Sequence, residues 1–170
     1  MSAEPRPSRP ALTFLHETPQ DQDAIEALLD RAFGPGRFVK CSERVREFAE
    51  FAPELSFCAW GQDRLLGVVR MWRVRVGETP VTFLGPLAVD TDRRSAGVGG
   101  MLVERACKAA ETAGERAVLL VGDGPYFARF GFAAAPAKAV RMPAPVDQRR
   151  VLVRAFSDLG DSLHGAVEAR

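Results

Sequence analysis

Between Leu84 and Ala113 the chain reads as a strand, a glycine loop and a helix in immediate succession, and no other stretch narrows the fold as much. Apolar Leu84, Leu87, Ala88 and Val89 run into Asp90-Thr91-Asp92-Arg93-Arg94-Ser95-Ala96-Gly97-Val98-Gly99-Gly100, after which helical periodicity starts at once. The first N–H groups of a helix lack intrahelical partners and stand at the positive end of its dipole, so such a junction is a ready site for a phosphate. Glycine admits backbone angles that other residues avoid and lets a bulky anion come close. Spacing then limits the ligand. A dinucleotide fingerprint needs a glycine where Leu102 stands, and a P-loop needs a Gly-Lys-Ser or Gly-Lys-Thr that is absent. What remains is Arg94-x-x-Gly97-x-Gly99 between an apolar strand and a helix.

Around that core the elements follow in order. Residues 1–10 hold three prolines and two arginines and read as a disordered tail, leaving residues 11–170 as a single domain. Ala11 to His16 is a candidate strand, and Thr18-Pro19 then looks like a helix start. Ile25, Leu28, Leu29, Ala32 and Phe33 follow at helical spacing, with Gly34 as the stop. A second helix is expected from Ser42 to Ala52, stopped by Pro53. Its charged face reads as solvated surface, with Arg37, Lys40, Arg44 or Arg46 at a substrate entrance as the alternative. Ser56 to Trp60, Leu65 to Val76 and Val81 to Val89 form an antiparallel meander joined by short turns. Pro86 inside the last strand predicts a break in pairing, because proline is tolerated in a strand only at an edge or a bulge. Such a break leaves backbone groups of Leu87 and Val89 for an extended ligand.

After the loop, Val98, Met101, Leu102, Ala106, Ala109 and Ala113 mark one helix face, and Gly114 ends it. The apolar run Ala117 to Val121 is a central parallel strand. A short helix over Tyr126 to Arg129 and a last strand over Val151 to Phe156 complete the pattern, while Ser157 to Arg170 carries no clear signal.

Several function classes are excluded on composition. A net charge of +1 is no footprint for nucleic acid, and no apolar run has membrane-spanning length. Cys41, Cys58 and Cys107 are odd in number and far apart, so neither a disulfide framework nor a metal site is expected, and a reducing, cytoplasmic setting is.

The Arg94-x-x-Gly97-x-Gly99 loop, with Leu87-Ala88-Val89-Asp90 before it, resembles the coenzyme A loop of the GNAT superfamily of N-acetyltransferases. The element order over about residues 11–156 matches that family too. Leu120-Val121-Gly122-Asp123 followed by Tyr126-Phe127-Ala128-Arg129-Phe130-Gly131-Phe132 looks like its YhbS-type branch. The resemblance implies an α/β fold of α+β character, a central, mostly antiparallel twisted sheet of six to seven strands flanked by about four helices. It implies acetyl-CoA as cosubstrate, no metal, and a small-molecule or peptide amine as acceptor, in a monomer or homodimer. Leu87, Ala88, Val89, Arg94, Ser95, Ala96, Gly97, Val98, Gly99, Gly100 and Phe127 then line the cofactor.

The implied reaction moves an acetyl group from a thioester to an amine. A lysine-type amine, with pKa near 10.4, must lose a proton before attack. The tetrahedral oxyanion needs a donor such as a backbone N–H near Leu87 to Val89, and the departing thiolate benefits from a proton. The family's usual donor is a tyrosine four residues before the Gly-Phe pair, but Phe127 stands there, and the chain's one tyrosine is its neighbour Tyr126. Tyr126 is the candidate catalytic acid, with surface packing as its other reading; Asp123 and Asp90 are candidate bases or turn caps. The rival function is a catalytically silent module that binds coenzyme A as a sensor or interaction partner. A nucleotide-binding protein is the third reading. Acceptor contacts are expected from residues 34–42 and 136–149.

Overall fold

The computed structural model describes residues 11–91, 97–160 and 163–170. The tail expected at residues 1–10, and Arg94, Ser95 and Ala96 of the loop, lie outside the described residues. In chain order the elements are β1 (Leu12–His16), α1 (Gln22–Phe33), α2 (Cys41–Arg46), β2 (Glu50–Phe51), β3 (Phe57–Gly61), β4 (Arg64–Val76) and β5 (Thr79–Val89). Then come α3 (Val98–Thr112), β6 (Ala117–Val121), α4 (Gly124–Ala128), β7 (Ala139–Arg141), β8 (Val151–Ala155) and β9 (His164–Ala169). The sheet runs β1-β3-β4-β5-β6-β8, with β2 and β9 also on β4 and β7 on β9. Pairs β5–β6 and β7–β9 are parallel, and the rest are antiparallel.

The fold class is the expected one, but among the described residues the sheet has nine strands rather than six to seven. The additions are β2, β7 and β9, which are short or lack a clean alternation. The helix expected from Ser42 to Ala52 stops at Arg46. Past it, Glu50 and Phe51 pair with Arg73 and Trp72 of β4, the Phe51 and Trp72 rings lie 5.1 Å apart, and Ala52 donates to Met71 O. Sheet pairing and ring contact there outweigh the local helical pattern.

Alternation along β4 sends neighbouring residues to opposite faces. Val68 joins Ile25, Leu28 and Leu29 of α1, whereas Val69 joins Leu102, Val103 and Ala106 of α3. The two helices therefore cover opposite faces of the sheet. Each fully buried Val or Leu here is worth roughly 1.5–3 kcal/mol over an exposed one. Thr18 prepares α1: its N–H and hydroxyl both donate to Asp21, at 2.8 and 3.0 Å, and Gly34 ends the helix at φ 67°.

The break expected at Pro86 is present. Register shifts between Met71↔Leu84 and Val69↔Leu87, so Arg70 alone faces Gly85 and Pro86, which are joined by a cis peptide. The Gly85 carbonyl accepts from Trp72 Nε1 at 2.6 Å. On its other side β5 pairs with β6 only at Thr82↔Val118 and Phe83↔Leu119, and no pair beyond Phe83 occurs among the described residues. Leu87 to Val89 thus present one unzipped edge of backbone.

All three cysteines are free and buried. Burial pushes the Cys58 thiol, ordinarily near 9, up to about 12 and that of Cys107 up to about 11. Both folded values lie above the unfolded one, so this stability is fully present below about pH 9 and is lost as pH rises through about 11 to 12. Calorimetric melting should show Tm falling above about pH 9, and less steeply in the Cys58→Ala, Cys107→Ala double variant. An equal slope in both proteins would remove the thiols as the cause.

Candidate functional site

The first helical turn of α3 opens the site. Gly97 is its N-cap in the left-handed region, φ 75°, and offers no side chain to the helix N–H groups. Met101 N–H reaches Gly97 O at 3.1 Å, so the N–H groups of Val98, Gly99 and Gly100 stand ahead of the first intrahelical bond. The Val98 side chain is buried in the core, which leaves only its backbone for a ligand. A methyl carbon on Gly99 would lie 3.3 Å from both the Tyr126 hydroxyl and Val89 Cγ2. One on Gly100 would lie 3.0 Å from Phe130 Cζ. These glycines let strand, helix and α4 close up around one groove.

That groove, about 790 Å³, is walled by Leu87 to Val89, by Gly97, Gly99 and Gly100, and by Asp123, Tyr126, Arg129 and Phe130, with Ala32 and Phe33 beyond. Of the expected cofactor residues, the structure brings together Leu87, Ala88, Val89, Gly97, Gly99 and Gly100. Arg129, named from sequence at the end of the short helix, has its guanidinium 4.8 Å from the Tyr126 ring centre and lines this groove. No ion pair holds it among the described residues. Its place three positions after Tyr126 puts both on one helical side, and that was the available signal.

A second cavity, about 510 Å³, adjoins the first. Leu84 to Leu87 form one wall; Arg37 and Val39 to Glu43, Val121 to Asp123, Phe127, and Pro145 to Asp147 form the others. The two loop regions expected to contact an acceptor do line it. Arg37 and Lys40 are in the lining, whereas Arg44 and Arg46 are not: they are tied to Phe38 O and Glu47, and to Glu43. Phe33, Leu87 and Asp123 line both cavities.

The two adjacent aromatics divide between these spaces. Phe127 is a core side chain with one flank on the second cavity, packed over Gly122, and its ring meets that of Tyr126 edge-on at 4.9 Å. Tyr126 faces the first groove, with its hydroxyl by Gly99.

Charges are mostly spoken for. Arg37 is buried, and although burial alone would lower its affinity for a proton, Glu26 and Asp30 hold the guanidinium above its ordinary value. Lys40 Nζ lies 4.2 Å from the Phe33 ring centre. Asp90, a candidate base from sequence, is buried and paired with Arg64 at 2.6 Å and Arg31 at 3.9 Å, so it serves the fold. Asp123 caps α4 by accepting the Tyr126 N–H at 3.0 Å.

Comparison with known proteins adds to this geometry. The profile of the acetyltransferase (GNAT) family matches residues 23–132. The uncharacterized N-acetyltransferase YhbS of Escherichia coli K12 is 29% identical over 151 residues, covering 88% of this chain and 89% of that protein. A crystal structure of YhbS from Escherichia coli in complex with CoA superposes with a TM-score of 0.78 at 26% identity, over 100% of this chain and 94% of that one. A GNAT family acetyltransferase from Brucella melitensis in complex with acetyl-CoA gives 0.70 at 25% identity, over 95% and 97% of the two chains.

Proposed function

This chain belongs to the GNAT acetyltransferase family, and on that premise we propose that it transfers an acetyl group from acetyl-CoA to the primary amine of a small molecule or peptide. The observation that carries the proposal is the unzipped edge of β5 at Leu87 to Val89, facing the glycine mouth of α3 across one groove. The pantetheine arm adds to that edge as an extra strand, and the diphosphate meets the leading N–H groups of α3, with Arg129 alongside. Arg94, Ser95 and Ala96 belong to the same proposal through the loop motif. The thioester then lies near Leu87, where the two cavities meet, and the amine arrives through the second. β6-facing backbone groups of β5 stabilise the oxyanion. A reducing, cytoplasmic setting fits three free, buried thiols.

Tyr126 was the candidate acid for the thiolate. Its hydroxyl stands by Gly99, on the diphosphate side of the groove, and we assign it to gripping the cosubstrate. Tyr126→Phe should raise KM for acetyl-CoA several-fold and leave kcat within about threefold, since losing one neutral hydrogen bond costs about 1 kcal/mol. A tenfold fall in kcat at unchanged KM would return the acid role to Tyr126.

The test of the whole reading is turnover: acetyl-CoA with a panel of amines should release free thiol above the buffer rate. One observation favours the second reading, a silent coenzyme A-binding module, namely Phe127 where the family's tyrosine is expected. Tight coenzyme A binding without thiol release on any amine would establish it.

A further inference from the structure

Among the described residues Asp123 is the one carboxylate that lines both cavities, and it stands where the proposed thioester and amine sites meet. The other acids of the second cavity have cations of their own: Glu43 pairs with Arg37 and Arg46, and Asp147 with Arg149. Asp123 uses Oδ2 to accept the Tyr126 N–H, which orients the carboxylate and leaves Oδ1 without a protein partner among the described residues. Much of the surrounding wall is apolar, built from Phe83, Leu84, Pro86, Leu87 and Phe127, and it continues to an exposed Val39 at the lip. Of the cations that share this cavity, Arg37 is held by Glu26 and Asp30, Lys40 lies over the Phe33 ring, and Arg150 Nε donates to the Gly122 carbonyl at 3.3 Å, so Asp123 forms no ion pair among the described residues. A carboxylate without an ion pair, beside an apolar wall, is complementary to an ammonium carried on an apolar body.

From this placement we infer that Asp123 is the anchor for the acceptor's ammonium, and that the acceptor is a primary amine with an apolar body; the inference rests on the acetyltransferase reading. The carboxylate holds the ammonium by charge and hydrogen bond. One proton leaves the ammonium for solvent, and the nitrogen lone pair attacks the carbonyl carbon as the C–N bond forms. The adduct's N–H⁺ is far more acidic than the free ammonium, and Asp123 takes that proton. Collapse then breaks the C–S bond, the pair stays on sulfur, and the thiolate receives the proton Asp123 holds. Amide and free thiol result, with one proton released overall.

The experiment titrates hexylamine and its neutral counterpart 1-hexanol into the full chain saturated with coenzyme A, for wild type and Asp123→Asn. Asparagine keeps the acceptor oxygen for the Tyr126 N–H while removing the charge, so Tm should stay near wild type, and each protein is saturated at its own measured coenzyme A affinity. Wild type should bind the amine at least tenfold more tightly than the alcohol, and the variant should lose that preference. Equal affinity for the two probes in wild type, no binding of either, or a preference that survives in Asp123→Asn would overturn the inference. Thiol release from acetyl-CoA with hexylamine, followed in parallel, bears on the acetyltransferase reading alone. An ammonium preference with no thiol release from any amine of the panel would sink that reading and leave Asp123 as an ammonium-binding group.

Discussion

Gly99→Glu should raise the dissociation constant for coenzyme A about 100-fold, roughly 2.7 kcal/mol, in a protein that remains folded. Two causes act together. Any side chain at this position starts with its first carbon 3.3 Å from the Tyr126 hydroxyl and Val89 Cγ2, so it must grow into the groove. A carboxylate there meets the diphosphate, and like charges at such distance cost several kcal/mol. It also occupies the N–H groups that the phosphates need. Gly99 has helical geometry and no strained angle, so the substitution does not of itself break α3. Titration calorimetry at low and high salt separates the causes, because at about 1 M the screening length is near 3 Å and the charge part shrinks. Gly99→Ala isolates the steric part and should lose less than about tenfold, an order set by the tightness of one added methyl. Unchanged affinity in Gly99→Glu would place the diphosphate elsewhere.

The groove was legible in sequence because its determinants are local. Glycine spacing, the Pro86 interruption and the apolar face of α1 each act within a few residues, and the structure places them as their chemistry dictates. On α3, Val98, Leu102 and Ala106 are buried as expected, but Met101 and Ala113 are exposed, and Val103, Cys107 and Ala110 complete the buried face because the helix meets the sheet along that side. What escaped depends on partners far along the chain. β9 pairs with β4 about ninety positions away, and residues 157–170 carry no pattern that foretells it. Asp90 and Asp123 look alike in sequence, each an acid at a strand end. One is paired with Arg64, 26 positions earlier, and the other leaves Oδ1 without a protein partner among the described residues. Arg129 shows the same limit, since its use is decided by the space beside Gly97 and Gly99 rather than by its neighbours in sequence.

Arg70→Met should cost about 3–5 kcal/mol of stability, the range for breaking one partner out of a buried ion pair. Arg70 lies on β4 where the sheet is broken, with its side chain 3% exposed, and donates to both oxygens of Glu17 at 3.0 and 2.7 Å; the Glu17 side chain is 8% exposed. Gln22 accepts a third bond at 3.1 Å. Methionine fills similar space without charge, so the loss is that of a carboxylate stranded away from water. At roughly 2–4 °C per kcal/mol for a domain of this size, Tm should fall by about 10 °C. Glu17→Leu added to Arg70→Met removes the stranded charge and should recover most of the loss, because a buried pair replaced by apolar groups is often neutral. If the double variant melts as low as the single one, packing rather than charge carries the effect. The consequence reaches the site as well: Glu26 is shared between Arg70 at 3.7 Å and Arg37, which lines the second cavity, the proposed seat of the amine. The single variant should therefore raise KM for the amine more than KM for acetyl-CoA, whose groove shares none of these ion pairs.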